Sequence, residues 1–333
     1  MLALVLETDK SLLLKDVPHP EPGPGEVLVK VKAAALNHRE IWIAKGLYPG
    51  MKLPSILGAD GAGVVAAVGP GVDGAWVGEE VVVYPATGWH PEAEWPDRDF
   101  KVLGMPRDGT IAEYVILPEQ NLCRKPEYLS FEEAAALPVA ALTAWRGLTR
   151  RGRVYAGQKV LVNGIGGGVA QFGLSFALSL GAEVFVTSSK QEKIDRAVEL
   201  GAAGGVLYTA EDWPEQLGTL SGGIDVVLDG APLAELDRYL KFLTVGGKVV
   251  YYGSTGGRNA TINLSKFFLR QISLLGTTMG SPQDFVDMLN FMEIHELRPL
   301  IDSVYSFQDS VKAFADLQRG GQFGKIVISD FPG

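Results

Sequence analysis

Cysteine is almost missing from this 333-residue chain. The single Cys123 excludes an internal disulfide and any multi-cysteine zinc cluster, and a reducing cytoplasm is the compartment that fits. Positive charge is in deficit: 30 Lys+Arg stand against 39 Asp+Glu, a formal net charge of −9. Such a field repels phosphate backbones and anionic lipid, so nucleic acid is not an expected partner. Long apolar runs are also lacking, since none approaches the ~18–20 residues that a membrane helix needs. The opening run Met1–Leu6 is broken by Glu7, Asp9 and Lys10, too short and too acidic for a signal peptide. What is present is 47% apolar and 21% charged residues, the balance of a globular protein with a real core. At about 150 residues per domain, the length predicts two domains, or one large one.

The first 120 residues read as short strands separated by Gly and Pro turns: Leu2–Leu6, Leu12–Lys15, Val27–Lys32, Gly63–Val68, Glu80–Tyr84 and Ala112–Leu117. From about Glu132 the rhythm changes to helices alternating with apolar strands, the mark of βαβ units around a parallel sheet. The predicted strands are Val160–Val162, Val184–Thr187, Gly205–Tyr208, Val226–Asp229, Val249–Tyr252 and Ile272–Leu275, the six of a dinucleotide-binding sheet. Helices follow near Gln283–Glu293 and Gln308–Gln318, and a strand at Lys325–Ser329. This tail is too short to fold alone and is expected to return to the first unit. The fold class is therefore α/β, a doubly wound parallel six-stranded Rossmann domain (126–277) beside a β-rich domain (1–125 with 278–333).

The strongest chemical signal runs from Val160 through Asn163, Gly164, Ile165, Gly166, Gly167 and Gly168 to Val169 and Ala170: a buried strand, a glycine loop, then a helix. Missing Cβ atoms let a pyrophosphate approach backbone N–H groups, and the helix N-terminus adds favourable partial charge. Without that setting the same glycines would be only a tight turn. No Lys-Ser or Lys-Thr pair closes the loop, which excludes a nucleoside-triphosphatase loop. At the end of the second strand an NAD site would carry Asp or Glu for the ribose 2′-OH; here stand Thr187, Ser188, Ser189 and Lys190, then Lys193. That chemistry predicts NADP(H), with Ser188, Ser189 and Lys193 at the 2′-phosphate. Ser189 with Glu192 also reads as a capping box, and the lysines as solvated charges.

These features, with Pro22–Val31, Leu36-Asn37-His38-Arg39-Glu40, Gly46-Leu47-Tyr48-Pro49, Leu57–Val65, Leu142-Thr143-Ala144-Trp145 and Gly324–Val327, resemble the medium-chain dehydrogenase/reductase superfamily, on its zinc-independent quinone oxidoreductase side, over essentially the whole length. The resemblance implies that the β-rich unit is a GroES-like catalytic domain, that substrate lies in the cleft between the two domains, and that the chain forms a homodimer or homotetramer through the sixth strands near Phe267–Leu275. It also implies cofactor contacts from Thr143, Tyr208, Phe323 and Lys325, and Gly253 and Thr277 follow the fifth and sixth strands, where open α/β sheets place ligands; each reads equally as a packing or loop residue.

The superfamily's zinc alcohol dehydrogenases hold catalytic zinc on a Cys, a His and a later Cys; by motif those places fall here on Asn37, Ala59 and Val139. Ala and Val lack lone pairs, and a carboxamide is a poor ligand beside thiolate or imidazole, so no catalytic zinc is expected. The segment Tyr84–Arg107 matches the structural zinc lobe but has no cysteine; its His90, Glu92, Glu94, Asp97 and Asp99 read as a solvated acidic loop. Cys123 reads as a small buried filler, and Asp60 as structural. Without a Lewis acid the expected reaction is NADPH-dependent reduction of a quinone or other α,β-unsaturated carbonyl, whose developing charge spreads over a conjugated system. The resemblance implies that Asn37 and Tyr48 line the cleft near the nicotinamide as the candidate catalytic residues, against the plainer readings of a turn residue and a packed aromatic. A zinc-free alcohol dehydrogenase, an enoyl-thioester reductase and a non-catalytic NADPH-binding sensor stay open as alternatives.

Overall fold

The computed structural model describes residues 1–332. The chain forms two compact units, Met1–Ala140 with the stretch from Gly280 onward, and Ala141–Met279. The boundaries differ from the sequence expectation. Residues 126–140 belong with the first unit because the helix Phe131–Ala135, capped by Ser130, packs on the strands Glu26–Ala35 and Asp60–Val68.

The first unit is built on a seven-stranded sheet. Its path runs Leu122–Arg124, Glu80–Val83, Asp60–Val68, Glu26–Ala35, Lys325–Ser329 and Ile301–Ser306, with Tyr114–Pro118 also paired to Glu26–Ala35. Val27, Val29, Val31, Val65, Val81 and Ile326 bury their side chains in its core. The strand pair Glu26–Ala35 and Asp60–Val68 shifts register between Val31 and Ala33. Gly63 permits this close approach: a Cβ there would lie 2.1 Å from the Lys30 carbonyl oxygen. The cysteine-free lobe carries three short strands, Ala86–Thr87, Lys101–Leu103 and Pro106–Arg107. Trp89 holds it together, meeting Phe100 edge-on at 5.6 Å and donating from Nε1 to the Ala93 carbonyl at 2.9 Å.

Register places the polar residues of this unit. On one side of Glu26–Ala35, Ala35 pairs with Asp60; on the other, Ala35 pairs with Val327, and Leu36 N–H donates to the Ile326 carbonyl at 3.0 Å. Asn37, just beyond the strand end, therefore stands between Asp60 and Lys325.

The second unit is a six-stranded, wholly parallel sheet in the order Gly204–Leu207, Glu183–Ser188, Lys159–Asn163, Ile224–Asp229, Leu243–Tyr251, Ser273–Gly276. Numbered along the chain this is 3-2-1-4-5-6, the doubly wound order whose switch point lies between the first and fourth strands. The central strands carry the buried apolar runs 160–162 and 226–228, as burial on both faces requires. The helix after the second strand is Gln191–Glu199, burying Ile194 and Ala197. It begins later than the expected Ser189 cap: Lys190 is its N-cap residue, without a side-chain bond, and Ser188 Oγ accepts from Lys190 N–H at 3.2 Å. No helix among the described residues is long and apolar enough to cross a membrane.

Candidate functional site

In the first unit the helix His38–Ala44 starts at Asn37, whose N–H donates to Glu40 Oε2 at 2.8 Å. The Asn37 side chain is turned to a buried ion pair. Its Nδ2 donates to Asp60 Oδ2 at 2.8 Å, and its Oδ1 accepts from Lys325 Nζ at 2.6 Å. Lys325 Nζ also donates to Asp60 Oδ2 at 2.9 Å and to the Leu36 carbonyl at 2.8 Å. An ammonium has three N–H donors, and all three are directed inward. Lys325, the residue expected at the cofactor, makes these three bonds within the first unit. Asp60 completes its bonds through Oδ1, which accepts from Val139 N–H at 2.8 Å. Asp60 and Lys325 side chains are 0% and 3% exposed, so each charge has the other as its compensation.

The three zinc-ligand places meet this cluster, and their chemistry does not fit a metal. Asn37 Oδ1 faces an ammonium, Ala59 is apolar and fully buried, and Val139 offers a backbone N–H to a carboxylate. Among the described residues no three His, Cys, Asp or Glu side chains are grouped to hold a metal ion.

Tyr48 is half-buried, and the Arg39 guanidinium lies 4.9 Å from its ring centroid. Arg39 is itself anchored, donating from Nη1 to the Leu103 carbonyl at 2.7 Å and to Glu40 Oε1 at 3.1 Å. Burial pushes the Glu40 carboxyl above its ordinary range, with Arg39 opposing. Phe323 is buried, and its N–H donates to Asp302 Oδ1 at 2.8 Å. Cys123 sits half-buried on its strand, and burial pushes the thiol up to about 12, which keeps it an inert thiol at neutral pH.

In the second unit the glycine loop follows Lys159–Asn163 and leads into the helix Gly168–Ser179, whose N-cap residue Gly167 has no side chain to satisfy the first N–H groups. Cβ atoms built at Gly164 and Gly167 would meet nothing within 4 Å. The loop is a cradle, and its open space and uncapped helix end fit a pyrophosphate. One expectation changes: Gly164 N–H is bonded to Thr187 Oγ1 at 2.9 Å and Ile165 N–H to the Thr187 carbonyl at 2.7 Å. Within the loop, Gly166, Gly167, Gly168 and Val169 remain as the candidates for phosphate donors. Ser188 is buried, Ser189 exposed and Lys193 half-buried at the end of the second strand, where no carboxylate stands among residues 187–190. Tyr208, 44% exposed, donates its N–H to the Ser188 carbonyl at 3.0 Å, which sets it beside that strand end.

Thr143 is buried on the helix Pro138–Arg146. Gly253 serves packing, since a Cβ there would lie 2.7 Å from the Gly230 carbonyl oxygen. Thr277 follows the sixth strand, and its Oγ1 is buried without a hydrogen-bond partner. Gln171, in the first helical turn after the loop, likewise has both carboxamide ends unpartnered. Sequence reasoning passed over Gln171; a polar side chain on the face of an otherwise apolar helix is the signal that marks it. Such orphans fit a site that a ligand completes. A cavity of about 850 Å³ elsewhere in this unit is bordered by Glu211, Asp212, Glu215 and Glu235 with Arg238, charges that repel phosphate.

Residues 23–127 match the alcohol dehydrogenase GroES-like domain, and residues 168–293 match a family described as zinc-binding dehydrogenase. The chain is 37% identical to the zinc-type alcohol dehydrogenase-like protein YogA of Leptosphaeria maculans, over 95% of this chain and 94% of that protein. It is 26% identical to the acryloyl-coenzyme A reductase of Sulfurisphaera tokodaii, over 95% of each. Among solved structures, an NAD-dependent alcohol dehydrogenase is similar at 39% identity with a TM-score of 0.91, covering 99% of both chains. A thermostable alcohol dehydrogenase from Pyrobaculum aerophilum is similar at 30% identity with a TM-score of 0.87, again covering 99% of both. With its GroES-like unit, its doubly wound sheet and these relatives, the chain belongs to the medium-chain dehydrogenase/reductase superfamily of nicotinamide-dependent oxidoreductases.

Proposed function

We propose that this oxidoreductase is an NADPH-dependent, zinc-independent reductase of conjugated carbonyls: a quinone, an enone or an enoyl thioester. The observation that carries the reading is that the zinc-ligand places hold no metal donors: Asn37 and the Val139 N–H are bonded to the Asp60–Lys325 ion pair, and Ala59 is apolar. Reduction of a simple aldehyde concentrates charge on one oxygen, which a metal would stabilise by several kcal/mol. Hydride addition to a conjugated carbonyl spreads that charge, so hydrogen-bond donors suffice. The reduced nicotinamide, when bound, supplies the hydride. Asn37 keeps one N–H beyond its bond to Asp60, held in orientation by Lys325, and this donor is assigned to the substrate oxygen. The Tyr48 hydroxyl, steadied by Arg39, is assigned to the same oxygen as negative charge develops there, with solvent supplying the proton, to the α-carbon of an enone or enoyl thioester and to oxygen of a quinone.

The preference for NADPH rests on the absent carboxylate at residues 187–190, with Ser188, Ser189 and Lys193 as 2′-phosphate partners. The similarity to an acryloyl-coenzyme A reductase favours the thioester among the acceptors. The test offers the purified protein NADPH or NADH with a small quinone, an enone, an enoyl thioester and a simple aldehyde, each with and without chelator. Turnover of a conjugated acceptor with NADPH, unchanged by chelator, is expected. Activity confined to the aldehyde and lost with chelator overturns the assignment, and NADPH binding with no turnover of any acceptor turns it into a cofactor-sensing protein.

A second copy of the chain is the proposed partner of the sixth strand, the sheet's outer edge. Beside it Leu264, Phe268 and Leu269 are 71%, 67% and 72% exposed, an apolar patch next to unpaired strand edge. Light scattering is expected to return a dimer or a multiple of it; a monomer at micromolar concentration excludes this pairing.

A further inference from the structure

We infer that Asn163, Thr187 and Asp229 are positioning residues for the dinucleotide loop, acting as one hydrogen-bonded chain across the tips of three neighbouring strands. The inference rests on the proposal that the glycine loop binds a dinucleotide.

The chain has a fixed direction. Asp229 ends the fourth strand with a fully buried carboxylate, which can only accept. It takes Asn163 Nδ2 at 2.8 Å, Ala231 N–H at 2.7 Å and the Tyr239 hydroxyl. Because the carboxylate demands donors, the Asn163 carboxamide has one permitted orientation, NH₂ toward Asp229 and carbonyl toward the second strand. That carbonyl accepts the Thr187 hydroxyl proton. The Thr187 oxygen is thereby left with lone pairs only, and it accepts Gly164 N–H at 2.9 Å.

The consequence falls on the loop. Gly164 stands at φ +73°, with open space where its side chain would be, so packing does not hold it there. The Thr187 hydroxyl and carbonyl hold it and Ile165 instead, which leaves the later N–H groups as the candidate phosphate donors. Thr187 also immediately precedes Ser188, the residue assigned to the ribose end, so one residue ties both halves of the cofactor site to Asp229. The chain needs no cation. Burial pushes the Asp229 carboxyl above its ordinary range, while the bonds from Tyr239, Asn163 and Ala231 oppose that shift.

The test is Thr187→Val, which keeps the side-chain shape and removes both hydrogen bonds, with Thr187→Ser as the rescue. In the ligand-free protein, amide hydrogen exchange at residues 164–169 is expected to rise about tenfold in T187V, with the strand Lys159–Asn163 itself unchanged. NADPH affinity is expected to fall about five- to tenfold, the loss of roughly one buried hydrogen bond, and T187S restores both. Asp229→Asn frees the Asn163 carboxamide to turn, so the loop is expected to loosen. Unchanged exchange at 164–169 in T187V overturns the inference, as does T187S behaving like T187V. Faster exchange with full NADPH affinity also overturns it, by reducing the chain to a structural role. If the wild-type protein binds neither NADPH nor NADH, the functional reading fails, and exchange in the ligand-free variants still decides whether the chain holds the loop.

Discussion

Replacing Lys325 with methionine is expected to destabilise the first unit by about 3–5 kcal/mol, because removing one partner of a buried ion pair leaves the other charge uncompensated. The substitution strands Asp60 at 0% exposure and removes the donor from Asn37 Oδ1 and the Leu36 carbonyl. Methionine fills nearly the volume of the lysine stem, so a packing void does not explain the loss. The paired change Lys325→Met with Asp60→Asn removes both charges, and is expected to recover a large part of the stability. Calorimetric melting of the single and double variants checks this. If K325M melts with the wild type, or the double variant is worse than either single change, the pair is not holding the two strand ends together.

Gly167→Ala is expected to leave folding untouched and to weaken NADPH binding by about tenfold or more, equivalent to about 1.4 kcal/mol. The backbone at Gly167 has φ −77° and ψ 160°, a conformation open to any residue, and an added Cβ would meet nothing within 4 Å. Neither conformation nor packing asks for glycine there, so only the approach of a ligand does. Gly63 is the contrast, since a Cβ 2.1 Å from the Lys30 carbonyl oxygen is a demand of the fold. Melting temperature and fluorescence titration with NADPH separate the two effects. A G167A protein that binds NADPH as tightly as the wild type would place the pyrophosphate elsewhere.

Much of the architecture was legible because it is written in short-range periodicity. Apolar triplets and quartets separated by helical segments announce a buried parallel sheet, and the observed order 3-2-1-4-5-6 follows from short right-handed connections. Helix starts were less secure. Ser189 with Glu192 has the capping-box pattern, yet the helix begins at Gln191 with Lys190 as its N-cap residue, and Ser188 Oγ takes the Lys190 N–H. The pattern states what a side chain is able to do, and the neighbouring strand end decides what it does.

The candidate site divides along the same line. The glycine loop and the missing zinc ligands at Asn37, Ala59 and Val139 are local facts of residue type, so they could be read directly. The partnership of Lys325 with Asn37 and Asp60 spans separations of 288 and 265 residues, and no local pattern carries it. The same holds for Asn163 with Thr187 and Asp229, separated by 24 and 66 residues. Their one visible trace is a polar residue at the tip of an otherwise apolar strand.

By itself, the order of residue types determined the six-stranded parallel sheet, the β-rich unit beside it in sequence, and the glycine loop between the first strand and its helix. Only the tertiary structure decided where Lys325 directs its three N–H groups, that Gly164 is held by Thr187, and that residues 126–140 belong with the first unit. The reason is physical: periodicity and turn chemistry act over a few residues, whereas a buried charge or amide is satisfied by whichever strand the sheet register lays beside it.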